Sequence, residues 1–368
     1  MNIGIDISQI VYEGTGVGRF TKGLVNAICN YDQKNNWHFL FSSLRRQIDP
    51  KIEATIKNSG GKLVKYHLPP TLVAFLWNNA HIFELENIFN NLDWFITSDW
   101  SEPPAKKIKK ATIVHDLAFL RYPEAVAKNT LLVQKKRLEL VKKESSLIFN
   151  DSLSTKNDLI ELLGFSDKKI QVVYPGVEKI KITNNAQPRS IRPYILAVGK
   201  VEPRKNLNRL ITAFNEINNE NIDLIIVGPK GWEDLKLQSA DNIHFLGFVD
   251  DQELANLYQN CLFFVYPSLW EGFGYPVIEA MQMGAPVTCS NSSSIKEIVG
   301  DNALTFDPIK TESIKKALLE MINNQKLREE LIIKGKKHSQ SFTWENYYNK
   351  FITTLNKFNN CSINKLTD

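Results

Sequence analysis

Ser268–Gly284 reads SLWEGFGYPVIEAMQMG, and the seven residues before it, Cys261–Pro267, read CLFFVYP. The short apolar, aromatic run reads as a buried strand. Gly272 and Gly274 then let the backbone approach a ligand closely or take a positive φ. Pro276 suits a first helical turn, where no amide hydrogen is needed, and the helix stops at Gly284. The strand thus empties through Glu271 and two glycines into a helix whose unpaired N–H groups form an anion site. Glu279 is expected in the first turn, where the helix dipole favours it and where it can accept two hydroxyl hydrogen bonds from a vicinal diol. Each acid alone reads as incidental to a capped helix; the whole arrangement reads as a ligand site.

Strand, loop and helix in that order are the unit of a parallel α/β sheet, and the rest of the chain repeats it. In the first half the clearest strands are residues 2–7, 38–42, 94–97, 111–114 and 147–150, with helices over about 129–144 and from the capping run NDSLST to Gly164. A second series places strands at 194–198, 224–227, 243–245, 262–266, 286–289 and 303–306. The 368 residues suit two domains. The expected division is a first Rossmann-like domain over 1–180, a polar linker over 181–193, a second Rossmann-like domain over 194–342, and a closing helix over 343–368 that packs back on the first domain. Two doubly wound parallel sheets facing each other put ligand sites at the carboxyl ends of their strands and leave a cleft between them.

Composition sets limits. Hydrophobic residues make up 43% and charged residues 23%, which fits a globular protein. The N-terminus reads as a first strand, not a secretory signal, and no run approaches a membrane span. Cys29, Cys261, Cys289 and Cys361 have no CxxC spacing, which fits reduced thiols in the cytoplasm and gives no metal cage. The net charge of +5 is concentrated: residues 101–150 hold eleven Lys and Arg against five Asp and Glu, a net of +6, leaving −1 for the rest. Such a segment reads either as a solvated helix face or as peripheral contact with an anionic membrane or a phosphate-bearing acceptor. Nucleic acid is not indicated, since no reading motif accompanies the charge. Phe75 and Trp77, in LPPTLVAFLWNN, fit a core helix or a face turned to a lipid-linked acceptor.

A second motif, ILAVGKVEPRKNLNRLITAF, ends a strand at Gly199 and places Lys200, Arg204 and Lys205 in a loop that opens a helix at Asn206. Basic side chains beside a helix N-terminus form a diphosphate clamp, Arg being able to hold two oxygens at once; the alternative is a basic surface loop. Lys205 is expected at a cleft edge, where its loss would leave folding nearly intact. With EPRKN followed by EGFGYPVIEA, the chain resembles the retaining GT-B glycosyltransferases of family 4 over nearly its whole length. GTGVGRF, VHD, NDSLSTKNDL, IHFLGFVDDQELANLY and GAPVTCSNSSSIKEIVGDNALTFDP fall in that family's order. The motifs are specific for fold and reaction class and weak for the sugar.

The resemblance implies that the second domain binds a nucleotide sugar. Glu279 would hold the ribose hydroxyls, and Lys200, Arg204 and Lys205 the diphosphate. Glu271 would contact hydroxyls of the donor sugar, with backbone amides of Gly272, Phe273 and Gly274 close by, and Leu246–Asp251 would border the base. In the first domain Gly16 and Gly18 would let the first loop approach the phosphates or acceptor, and His115 would reach the sugar near the reacting carbon. A lone His after a strand is more often structural; here Asp116 and an expected cleft position favour function. The physics agrees: breaking a glycosyl–phosphate bond puts negative charge on the leaving diphosphate, which fixed cations and helix amides stabilise without a metal. Asp250 and Asp251 read as a helix cap, not a metal motif. GTGVGRF fails the GxGxxG spacing, which counts against a nicotinamide dehydrogenase. The expected activity is transfer of a hexose to a saccharide or lipid-linked acceptor in polysaccharide or lipopolysaccharide synthesis. The N-terminal sequence resembles the mannosyltransferase-like branch, so GDP-mannose is the first donor, with UDP-glucose and UDP-GlcNAc open. Front-face attack is favoured over a covalent Glu271 intermediate. The rivals are a GT-B epimerase or phosphorylase, and a sugar-nucleotide-binding protein without turnover.

Overall fold

The computed structural model describes residues 1–12, 14–123, 126–180, 192–231 and 241–363. Of the stretch expected as a linker, only Arg192 and Pro193 are among them. The chain divides into two compact units, Met1–Gly176 with Thr343–Asp368, and Val177–Phe342.

The first unit is built on a seven-stranded sheet, β1 (Asn2–Asp6), β2 (Asn36–Ser42), β3 (Lys62–Tyr66), β4 (Trp94–Ser98), β5 (Lys109–Val114), β6 (Leu147–Asn150) and β7 (Ile170–Val172). The strands run in the order β3-β2-β1-β4-β5-β6-β7, and every pair is parallel. The second unit holds β8 (Tyr194–Val198), β9 (Asp223–Val227), β10 (Ile243–Gly247), β11 (Phe263–Tyr266), β12 (Val287–Ser290) and β13 (Leu304–Phe306), in the all-parallel order β10-β9-β8-β11-β12-β13. Strand order reverses between β1 and β4 in one sheet and between β8 and β11 in the other, and a ligand crevice opens at such a point, outside the carboxyl ends.

Central strands are buried along their whole length, as WFITS in β4 and FFVY in β11 show, because helices cover both faces of a parallel sheet. The edge strand β3, KLVKY, carries Lys62 and Lys65 and is largely exposed; charged edges discourage pairing with another chain. That polarity hides it from a search for apolar runs, and the three residues of β7 are too few to register.

The closing helix, Trp344–Ile363, belongs to the first unit. Its Tyr347, Phe351 and Leu355 are buried at helical spacing. Phe351 packs at a tilt 4.5 Å from Phe149 of β6, and Tyr347 meets Phe20 edge-on at 5.5 Å. Phe20 lies in the helix Gly16–Tyr31, where Gly23 admits the Trp344 ring: a Cβ there would lie 2.0 Å from it. The last helix is therefore part of the first core. Phe351→Ala should destabilise this unit by about 3–5 kcal/mol, as expected for truncating a fully buried Phe; chemical denaturation followed by near-UV circular dichroism checks it.

Candidate functional site

Strand β11 delivers Tyr266 and then Ser268 and Glu271; strand β8 delivers, through Gly199, the loop bearing Glu202, Arg204 and Lys205. These strands are neighbours at the reversal point, so the two loops meet. Glu271 is only 8% exposed. Its Oε1 accepts from Lys205 Nζ, from the Tyr266 hydroxyl at 2.8 Å and from the Ser268 hydroxyl at 2.6 Å, while Oε2 pairs with Arg204 Nη1 at 2.9 Å. Arg204 also donates to Glu202 Oε1, at 3.1 and 2.7 Å, and to the Trp270 carbonyl at 2.6 Å. Burial opposes the Glu271 charge, but the Arg204 guanidinium and the Lys205 ammonium overcome it and hold the carboxyl at about 2.

The Lys205 side chain is 13% exposed. Its placement follows from Glu271: a buried carboxylate needs cations at contact distance. Three donors crowd Oε1 and one reaches Oε2, so Oε2 is the oxygen with more room to accept from a ligand hydroxyl. Lys200 follows β8 after Gly199 and is half-buried.

The helix after the glycines runs Tyr275–Met283, with Gly274 at its N-cap in left-handed backbone, φ 105°. Glu279 is its fifth residue and lies past the first turn, contrary to the sequence reading, because the helix starts only after Gly274. The acid is 5% exposed, and the Tyr258 hydroxyl donates to its Oε2 at 3.3 Å. Phe273 turns its ring into the core against Tyr275 and Phe342, so only its backbone can serve a ligand. The Ser293 and Ser294 hydroxyls fix the loop, one accepting from the Glu271 N–H at 2.9 Å and the other donating to the Glu271 and Phe273 carbonyls at 2.8 and 3.1 Å.

Several of these partners escaped the sequence reading. Tyr266 reads as one more strand aromatic, and the serines read as ordinary loop polarity. Asn206 does have a signal. It holds left-handed backbone at φ 58°, a conformation Asn tolerates better than most residues. Its amide ties together the Pro267 and Pro308 carbonyls at 3.1 and 2.8 Å. Asp250 caps the helix Asp251–Asn260, accepting from the Glu253 N–H at 2.8 Å.

In the first unit, His115 follows β5 and is nearly buried. Its Nδ1 lies 2.7 Å from Asp151 Oδ2, and its Nε2 lies 3.2 Å from Ser98 Oγ and 3.7 Å from Asp99 Oδ2. Burial pushes the imidazole down, but Asp151, then Asp99 and Asp116, push it further up, to about 9. The ring borders a cavity of about 120 Å³ lined also by Val17, Asp99, Asp116, Gln134 and Arg137. Of the glycines in the first loop, Gly18 is required by packing, since a Cβ would lie 2.2 Å from the Tyr12 carbonyl oxygen, whereas a Cβ at Gly16 would meet open space.

The basic segment is less uniform than its charge suggests. Lys110 is buried and pairs with Glu144 at 2.7 Å and Glu102 at 3.3 Å, and Arg137 is also buried. Trp77 is in the core, while Phe75 is exposed. No helix among the described residues is long and apolar enough to cross a membrane.

Two doubly wound sheets, with a buried acid between two cations at the reversal point of the second, define a GT-B glycosyltransferase. Residues 179–338 match the family of glycosyl transferases group 1, and the chain is similar to mannosyltransferases that carry such a domain. It is 28% identical over 381 residues to O-antigen chain mannosyltransferase B of Escherichia coli, covering 94% of this chain and 97% of that protein. It is 29% identical over 212 residues to O-antigen chain mannosyltransferase RfbU of Salmonella typhimurium, 56% of this chain and 58% of that one. Sucrose-phosphate synthase from Thermosynechococcus elongatus shares the fold at a TM-score of 0.72 with 15% identity, covering 97% of this chain and 98% of that one. Anabaena Alr3699/HepE, in complex with UDP and glucose, does so at 0.67 with 17% identity, covering 97% and 100%.

Glu271 is ionised in the folded unit at a pH where a free carboxyl is protonated, so its contribution to stability is present above the ordinary value near 4.5 and is lost as pH falls toward about 2. Glu271→Gln should flatten the stability of the second unit across that window; thermal denaturation between pH 5 and 2 measures it.

Proposed function

We propose that the protein moves a hexose from a nucleotide sugar to a saccharide or lipid-linked saccharide acceptor, with retention of anomeric configuration, in polysaccharide or lipopolysaccharide synthesis. GDP-mannose is the proposed donor. The observation that carries the reading is the buried Glu271–Arg204–Lys205 cluster beside the start of the helix Tyr275–Met283. The kinship with mannosyltransferases supports the sugar, and the UDP complex of a fold relative supports a nucleotide donor.

In this reading the donor diphosphate lies against Arg204, Lys205 and Lys200 and the amides of Gly272, Phe273 and Gly274. It shares the two cations with Glu271. As the glycosyl–phosphate bond breaks, negative charge grows on the leaving oxygen, and donors already fixed in place stabilise it with little reorganisation. Glu271 takes a hydroxyl of the sugar at its less engaged Oε2; Glu279 takes the ribose diol. In the first unit, Gly16 is assigned to the phosphates or acceptor and His115 to the sugar. The charge is carried by side chains, so the reaction runs without a metal ion.

A panel of nucleotide sugars, monitoring release of UDP, GDP or ADP, tests the donor: GDP release from GDP-mannose, surviving EDTA, is expected. Lys205→Ala should lower turnover about 10²–10³-fold, the usual cost of losing one preorganised contact. The two acids should fail differently. Glu279→Ala should weaken binding of free GDP, whereas Glu271→Gln should keep or tighten it, because it frees Arg204 and Lys205 from a counter-charge, while turnover collapses. Calorimetry with free GDP beside steady-state kinetics separates them. Loss of GDP binding in Glu271→Gln with normal binding in Glu279→Ala reverses the two roles.

A second reading concerns place: cytoplasmic, at the inner face of the cell membrane. Leu72, Phe75, Ile82 and Phe83 are exposed in one stretch of the first unit. Lys106 pairs with Glu84 at 2.6 Å, and Glu86 accepts from the Lys106 and Lys107 N–H groups at 2.9 and 2.7 Å, which gathers two lysines and two glutamates beside Phe83. Apolar rings beside lysines suit an anionic lipid surface. Co-sedimentation with phosphatidylglycerol vesicles should fall steeply with salt and with the pair Phe75→Ser and Phe83→Ser. Equal recovery on neutral vesicles at low salt overturns it.

A further inference from the structure

Four side chains from three strand ends converge on one proton arrangement. His115 Nδ1 is 2.7 Å from Asp151 Oδ2; burial raises the Asp151 carboxyl while the neighbouring His115 opposes that rise, and beside an ionised carboxylate, which only accepts, Nδ1 carries the proton. On the other side Nε2 is 3.2 Å from Ser98 Oγ, and that hydroxyl is 3.2 Å from Asp99 Oδ2. A hydroxyl has one proton. Given to Asp99, it leaves Ser98 with a lone pair facing Nε2, so Nε2 must donate as well. Asp99 reaches this place from left-handed backbone, φ 58°, a conformation costly for a residue with a side chain, and Gln134 Nε2 pins its carbonyl at 2.6 Å.

We propose that Asp151 is a positioning residue which, with the Ser98–Asp99 pair, holds His115 doubly protonated, so that His115 serves the site as a fixed cation and hydrogen-bond donor and not as a base. The groups facing the ring come from every neighbouring element. Asp151 stands at the end of β6, Asp99 at the end of β4, and Asp116 in the ring's own loop. Arg137 lines the same cavity from the helix Lys128–Glu144. Burial and then Asp151 raise the Tyr347 hydroxyl of the closing helix, and Phe20 lies edge-on to the imidazole at 4.4 Å. One cation, Arg137, opposes three carboxylates, and the balance favours the charged ring, in line with a titration near 9. The part His115 plays toward a donor sugar rests on the glycosyl-transfer reading above; its protonation does not.

Histidine side-chain ¹⁵N NMR on the full chain tests it, with the His115 signal identified by its loss in His115→Gln. The wild-type ring should stay charged through neutrality and titrate near pH 9. Asp151→Asn should lower that midpoint by about 1–3 units, the usual effect of one adjacent opposite charge, and Asp99→Asn by less. A wild-type midpoint near the ordinary 6.5 overturns the proposal, as does an unmoved midpoint in a folded Asp151→Asn. Should Asp151→Asn fail to fold, the wild-type and Asp99→Asn midpoints decide. Turnover of GDP-mannose should fall only on the alkaline side and shift to lower pH in Asp151→Asn; an unshifted limb beside a shifted NMR midpoint overturns the link to catalysis. If no donor is turned over, the glycosyl-transfer reading fails while the NMR result still stands or falls alone.

Discussion

A carboxylate that is 8% exposed and still ionised is the constraint around which the second unit is arranged. Removing one partner of a buried pair costs about 3–5 kcal/mol, so the loops after β8 and β11 have to meet and stay met. Each restraint on them serves that end. Asn206 ties the loop after β8 to the Pro267 carbonyl; Ser293 and Ser294 hold the backbone of the loop that carries Glu271; the Arg204 carbonyl accepts from the Leu269 N–H at 2.8 Å. The outcome is a rigid set of charges at a strand-order reversal, suited to a reaction whose main demand is stabilising a departing diphosphate.

The first unit answers a similar problem with the opposite charge at its centre. There a histidine is buried among carboxylates, and its aromatic supports come from both ends of the chain: Phe20 lies on it, and Tyr347 and Trp344 of the closing helix pack on Phe20. The last twenty residues of the described chain thereby help fix the wall against which His115 sits, although they lie more than two hundred positions away in sequence.

Much of the fold was legible because its central strands are continuous apolar runs and its helix ends carry capping chemistry. Ser152 and Gly164 bracket their helix, the former accepting from the Thr155 N–H at 3.1 Å and the latter at φ 63°. The strands that escaped, β3 and β7, lie at the sheet edges, where one strand is polar and the other three residues long. The chemical residues of the second unit were legible as well, because EPRKN and EGFGYPVIEA keep acids and cations at short, fixed spacings from glycines and a helix start.

What the sequence could not state is which of those groups touch. Glu271 and Lys205 are 66 positions apart, and His115 and Asp151 are 36 apart. Spacing shows that each stands at a strand's carboxyl end; only the parallel pairing of β8 with β11, and of β4 and β6 with β5, brings those ends together. The sequence by itself therefore determined the elements, the reversal-point sites and the kinds of charge placed there. The tertiary structure decided that Lys205 pairs with Glu271, that Glu279 lies beyond the first turn, and that Ser98, Asp99 and Asp151 surround His115. The physical reason is that propensity and capping act over a few neighbouring residues, whereas burial and ion pairing depend on which distant loops the sheet order makes adjacent.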